Sequence, residues 1–261
     1  MRKISPTQAV QAGWIRYKNK AGMYTAYTVF SLVVSLVFAT VAGGIGGLFS
    51  FNTFIQTTII AIIAGIGSGL LNVGFAHFAR KDEAGEDVEF GNFLDGFRIN
   101  VKSVVVVMVA TVLLSQLSSL LMPQELMSFQ LTEEQSQDFE LMMMAFEDLS
   151  EVLQANMGKF YLFIGLQIVF SIVLMFAPYF ASLKGKDGLE SLADSIKLAL
   201  GSFLQIFLAL LIVTLIAIPV SILTLGLGLL VIVPLIQLVA YDIFAQLTQE
   251  ELLDELQDEE L

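Results

Sequence analysis

The chain has no cysteine and a single histidine among its 261 residues, and only 15% of it is charged. Without cysteine there is no disulfide, no thiolate metal site and no cysteine nucleophile. His77 stands alone, and one imidazole with no second nitrogen or thiolate ligand makes a poor metal site. No metal and no cofactor is expected. Phosphate-loop, G-x-S-x-G and zinc-protease helix motifs are all missing. The string GIGSG at 65–69 lies inside an apolar run, where a nucleotide loop cannot form. Basic residues are scarce, 13 against 25 acids, and no nucleic-acid partner is expected. A soluble domain is about 25% charged, so the low charge already points away from water.

What is present is apolar and segregated. Hydrophobic residues make up 56% of the chain, and the mean hydropathy is +0.78. The charges cluster, leaving long uncharged runs. About 20 apolar residues cross the ~30 Å hydrocarbon core as a helix, which satisfies its own backbone. The runs do not alternate, so barrel strands are excluded. The expected fold is an all-α integral membrane protein of six transmembrane helices with interfacial amphipathic helices. The spans fall at about 21–48, 54–78, 103–122, 160–183, 198–223 and 225–244, in a membrane domain over 1–246. An acidic tail, 247–261, carries Leu252, Leu253 and Leu256 as a narrow stripe. The basic start MRK precedes a polar and aromatic segment, so the first span is expected to act as its own insertion signal. Pro178, Pro219 and Pro234 lie inside successive spans and predict kinks. Ala61, Gly65 and Gly69 share a row at four-residue spacing, which suits close helix packing.

Residues 124–158 differ in kind. Eight acids and no base (Glu125, Glu133, Glu134, Asp138, Glu140, Glu147, Asp148, Glu151) interleave with Phe139, Met142, Met143, Phe146 and Leu149. The spacing predicts an amphipathic helix, with Thr132 and Gln135 as its cap. The run lacks the ligand spacing and central glycine of a calcium loop. It reads as a solvated helix face that could lie on the bundle or meet a protein partner, as could the acidic tail.

Twelve of the 13 basic residues fall on one side of the expected membrane; only Lys159 falls on the other. Basic residues stay cytoplasmic, so both termini are expected inside and 124–158 outside. Trp14, Arg16, Lys18, Arg80, Lys81, Arg98, Lys102 and Lys197 are the candidates for contact with lipid headgroups, anionic phospholipid in particular.

The spans pair as three hairpins. Each is preceded by a small, a large apolar and a basic residue: Gly13-Trp14-Ile15-Arg16, Gly96-Phe97-Arg98 and Ser195-Ile196-Lys197. Each even-numbered span closes on an aromatic and alanine: Phe78-Ala79, Phe180-Ala181 and Phe244-Ala245. This predicts three divergent hairpin repeats in one orientation. The segments GWIRYKN, FAPYFASLKGKDGLESLADSIKLALGSF and GLLVIVPLIQLVAYDIFAQL give the chain its resemblance to a known group. It resembles the membrane domain fused to some bacterial glycerophosphoryl diester phosphodiesterases, and the stand-alone relatives of that domain. The resemblance implies six helices in a bacterial inner membrane. It does not carry the phosphodiesterase activity, whose soluble domain has no counterpart here. Some stand-alone relatives bear a carotenoid-cleaving oxygenase label; that chemistry holds iron on four histidines, and His77 alone rules it out.

His77 could relay protons or bind a headgroup, or stand at the interface facing water or a backbone carbonyl. Asp242 could mark an ion path or sit solvated near the end of the last span. Asn72, Gln56, Gln116, Gln167, Gln205 and Gln237 could join helices or line a polar path. Three functional readings follow, in this order: a non-enzymatic membrane scaffold or accessory protein, a transporter or channel for a lipid or small solute, and a membrane enzyme built on His77 and Asp242.

Overall fold

The structure is a computed structural model that describes residues 5–49, 52–123, 126, 129 and 131–259, without the side chains of 53 and 250–259. Arg2, Lys3 and Glu125, and the side chains of the Leu252, Leu253 and Leu256 stripe, lie outside this description. Among the described residues the regular structure is all helical: α1 (Pro6–Asn19), α2 (Ala21–Gly47), α3 (Thr53–Glu83), a 3-10 helix (Phe90–Phe97), α4 (Val101–Ser119), α5 (Glu133–Gln137), α6 (Phe139–Ala155), α7 (Met157–Leu174), α8 (Ala177–Leu183), α9 (Gly188–Gly201), α10 (Phe203–Leu223) and α11 (Leu229–Glu259). Six spans are long and apolar enough to cross a membrane, α7 and α8 forming one of them. The chain is an all-α, multi-pass membrane protein.

Local chemistry sets the breaks. Pro178 lacks an N–H and its ring crowds the carbonyl four residues back. That carbonyl is Leu174, where α7 stops, and Pro178 sits in the first turn of α8 instead. Pro219 and Pro234, by contrast, stay inside α10 and α11. The helix of the second span runs on to Glu83, past the expected span end at 78, and its charged last turn is paired to neighbours. The fifth begins at Phe203, since residues 198–201 belong to the separate amphipathic helix α9 and Ser202 breaks the register. The acidic segment is two helices where one was expected, split at Asp138, which caps α6 by accepting from the Glu140 and Leu141 N–H groups. The predicted Thr132–Gln135 capping box is present.

The chain divides into two compact units, Met1–Val112 with Ile172–Leu261, and Leu113–Ser171. In the second unit Gln167 donates to Ser118 Oγ at 2.8 Å, and Phe129 packs near Phe146. Of the return helices α3, α7–α8 and α11, the two that lie wholly in the first unit, α3 and α11, have 44% and 56% of their span windows buried, against 11% and 17% for the outgoing helices α2 and α10. These two are inner members, and α8 joins them. They meet directly: Tyr179 donates to Asn72 Oδ1, Tyr241 to Glu83, and Phe244 packs on Phe176, Tyr179 and Phe180.

The three lead-in segments follow one rule. Each seats its small residue on the return helix of the preceding hairpin, taken cyclically. A β-carbon on Gly13 would lie 3.0 Å from Val239 of α11. One on Gly96 would lie 2.1 Å from the Leu70 carbonyl of α3. Ser195 donates to the Val173 carbonyl of α7 at 2.7 Å. The lead-in GNFLDGFRIN is amphipathic, and its inner face goes deep: Phe93 is fully buried, stacked between Phe78 at 3.9 Å and Tyr27 at 4.2 Å. Gly65 and Gly69 face Val112 and Met108 of α4, so this row packs inside the fold, and Ala61 is half-buried on it.

Candidate functional site

The charged residues of the first unit gather at one end, where the return helices finish. Helix α1 begins with Ser5 as its cap and Pro6 in its first turn, and lies on α10 and α11. This directs Arg16 inward. Its guanidinium reaches Asp242 at 2.9 Å, Glu83 at 3.3 Å and the Ala79 carbonyl at 3.0 Å, and lies 5.4 Å from the Tyr241 ring centre. Burial alone would lower the Arg16 pKa, but Asp242 and Glu83 outweigh it and raise the value above the ordinary one, so this cation never titrates. Glu83 is closed on both oxygens, by Arg16 and by the Tyr241 hydroxyl at 2.7 Å. Arg16 thus joins the first return helix to the last.

Two expectations are corrected here. Asp242 is 4% exposed, a buried ion-pair partner and not a solvated interfacial carboxylate. Among the described residues its Oδ2 has no donor. Arg16 is spent on protein acceptors and is not free for a lipid phosphate.

His77 is corrected too. It is 1% exposed, so it does not face water. Its Nε2 lies 2.8 Å from Ser182 Oγ, and Ser182 donates to the Ile99 carbonyl at 3.3 Å. This order assigns the proton to Nε2 and leaves Nδ1 without a partner among the described residues. Asn100 works beside it from a positive φ of 49°, a conformation Asn tolerates better than most residues. Its amide donates to the Ala181 carbonyl at 2.5 Å and to Lys186 O at 3.4 Å. Glu83, Asn100 and Ser182 carry this network without having stood out in the sequence, and a turn-forming Asn just before a span was the one signal available.

The remaining predicted residues divide. Lys81 pairs with Asp95 at 2.9 Å, and Lys20 with Asp82 at 2.8 Å, which Tyr24 also donates to. Lys186 pairs with Asp194 and Glu190; the Asp194 hydrogen bond is the main reason its pKa is raised. Trp14 is exposed and stacks on Tyr17, with the Lys18 ammonium over its ring. Arg98, Lys102 and Lys197 are exposed and make no ion pair among the described residues. Arg80 donates to the Leu183 carbonyl at 3.1 Å and otherwise faces out. His77 and Asp242 have separate partners, and among the described residues no group of three or more metal-ligating side chains converges. Of the span glutamines, Gln205 and Gln237 each bury an oxygen that has no hydrogen-bond partner among the described residues.

A cavity of about 190 Å³ opens at the ends of α3 and α8, against the side of α11. It is lined by Arg80 and Glu83 of α3, Leu183 and Lys184 at the end of α8, and Tyr241, Phe244, Ala245, Thr248 and Gln249 of α11. Compared with known proteins, the chain matches no protein-family profile, no curated protein and no solved structure.

Proposed function

We propose that this chain is a non-enzymatic scaffold or accessory protein of a bacterial inner membrane, with both termini cytoplasmic. The observation that carries the reading is the use to which the buried polar groups are put. Arg16, Glu83 and one oxygen of Asp242, and likewise His77 Nε2, Ser182 and Asn100, are engaged with one another or with backbone carbonyls across hairpins. Such pairs fix register and geometry, and the two atoms left over, Asp242 Oδ2 and His77 Nδ1, belong to side chains already held by these contacts. The exposed cations Lys18, Arg98, Lys102 and Lys197 are left to hold anionic lipid, each contributing about 1 kcal/mol near a charged surface. The exposed Phe139, Met143, Met144 and Phe146 on acidic α6 are an adaptable apolar edge that suits a protein partner.

A second reading, a transporter or channel for a lipid or small solute, is favoured by one observation. Gln205 on α10 and Gln237 on α11, in adjacent spans, hold oxygens unpaired among the described residues. Reconstitution into phospholipid vesicles separates the two. A fluorescent phospholipid placed in one leaflet should redistribute, and a trapped dye should leak, no faster than in protein-free vesicles. Faster exchange or leakage that Gln205→Leu and Gln237→Leu abolish would reject the scaffold in favour of transport.

A further inference from the structure

We propose that the cavity at the ends of α3 and α8, against the side of α11, is a binding site for a phosphate group, carried by a phospholipid headgroup or by a small soluble phosphate. This deepens the scaffold reading and rests on its placing this end of the protein at the membrane–water boundary. The argument is one of unspent charge. Around the cavity, Arg16, Lys20, Lys81 and Lys186 each have a carboxylate partner. Arg80 and Lys184 have none among the described residues, and both line the cavity.

The acid in the lining compensates only one of them. Glu83 is held on one oxygen by Arg16, which it shares with Asp242, and on the other by the neutral Tyr241 hydroxyl, so that cluster keeps one net negative charge against the two cations. The Thr248 hydroxyl donates to the Phe244 carbonyl at 2.9 Å, so its proton is also spent. The C-terminal ends of α3 and α8 bring partial negative charge, and Arg80 already answers the Leu183 carbonyl with one of its N–H groups. What remains to greet a ligand is the rest of the Arg80 guanidinium fork, the Lys184 ammonium and the Gln249 amide. These are donors two of which are cations, and a guanidinium fork matches a tetrahedral oxyanion. The volume of about 190 Å³ equals about six waters at ~30 Å³ each, room for a phosphate and its first substituent. Phe244 and Ala245 give the wall an apolar side against which a glycerol carbon can rest.

Native mass spectrometry of the full chain tests this, from micelles offering phosphatidylglycerol, phosphatidylcholine and, separately, inorganic phosphate. The parent should retain one phosphatidylglycerol in preference to phosphatidylcholine, or one inorganic phosphate; the two arms tell which source supplies the group. A hydrogen bond to a charged group is worth about 1.5–3 kcal/mol, so Lys184→Gln should weaken retention about tenfold or more. Lys184 makes no ion pair among the described residues, so this variant folds. Arg80→Gln with Lys184→Gln should abolish retention, while Lys159→Gln, which removes an exposed cation that does not line the cavity, should leave it. Loss with Lys159→Gln equal to that with Lys184→Gln, or no retention of either phosphate by the parent, overturns the proposal. Redistribution of lipid across vesicles, if found, would reject the scaffold reading and leave this outcome unaffected.

Discussion

Asp242 shows how little a single residue's position in the chain says about its environment. It lies near the end of the last span, where a carboxylate ordinarily finds water, yet it is buried against Arg16. The guanidinium that neutralises it comes from the other end of the sequence. Removing one partner of a buried pair leaves an uncompensated charge and costs about 3–5 kcal/mol, whereas replacing the whole pair by apolar groups is often neutral. Asp242→Ala should therefore lower the thermal unfolding midpoint of the purified protein in mild detergent, with Arg16→Met close behind. The double change Arg16→Met with Asp242→Leu should recover most of the loss, because the remaining acid, Glu83, has a 40% exposed side chain and can hydrate. A double variant as unstable as the sum of the singles would mean that the pair is not the source of the cost. The sequence showed Arg16 and Asp242 as separate candidates; their pairing depends on α1 lying along α11, a long-range contact that no local spacing encodes.

At the scale of elements the legible part was larger. Span number followed from hydropathy, since lipid leaves the backbone no alternative to helix. The small, large apolar, basic pattern led to three lead-in segments that do dock alike. What stayed hidden was depth. The 3-10 helix (Phe90–Phe97) has the mixed composition of a surface strip, but Phe93 enters an aromatic cluster with Tyr24, Tyr27, Phe75 and Phe78. It can do so because two glycines let backbone meet backbone. A methyl on Gly74 would lie 1.9 Å from the Phe93 carbonyl, and one on Gly96 would lie 2.5 Å from the Gly74 nitrogen. Neither neighbour is a flexible side chain that could step aside. Overpacking of this kind costs about 1–3 kcal/mol or more, so Gly96→Ala and Gly74→Ala should each destabilise the protein in a detergent melt. Gly22→Ala, with nothing within 4 Å of the added carbon, should melt with the parent or slightly above it, since alanine is the better helix former. If Gly96→Ala also melts with the parent, the lead-in segment is not seated on α3 as the structure has it.

For the whole molecule, the strongest constraint is how charge partitions along the chain. The bases Arg16, Lys20, Arg80, Lys81 and Lys186 are joined through ion pairs and backbone contacts at one end of the first unit. The acidic helices α5 and α6 instead lie between the third and fourth spans. An odd number of crossings separates that segment from α1 and an even number separates α1 from α9, so the two loops belong to opposite compartments. The orientation proposed above, which follows the positive-inside tendency, has α9 in the cytoplasm and α6 outside. Because the chain contains no cysteine, every introduced thiol is the only one, and labelling reads a single site. Ser150→Cys on α6 and Lys197→Cys on α9 replace exposed residues and should leave packing intact. A membrane-impermeant maleimide should label Ser150→Cys in intact cells and reach Lys197→Cys only after permeabilisation. The reverse pattern would invert the protein and move the basic end away from the cytoplasmic leaflet. Labelling of both from outside would remove one of the crossings on which the six-span topology depends.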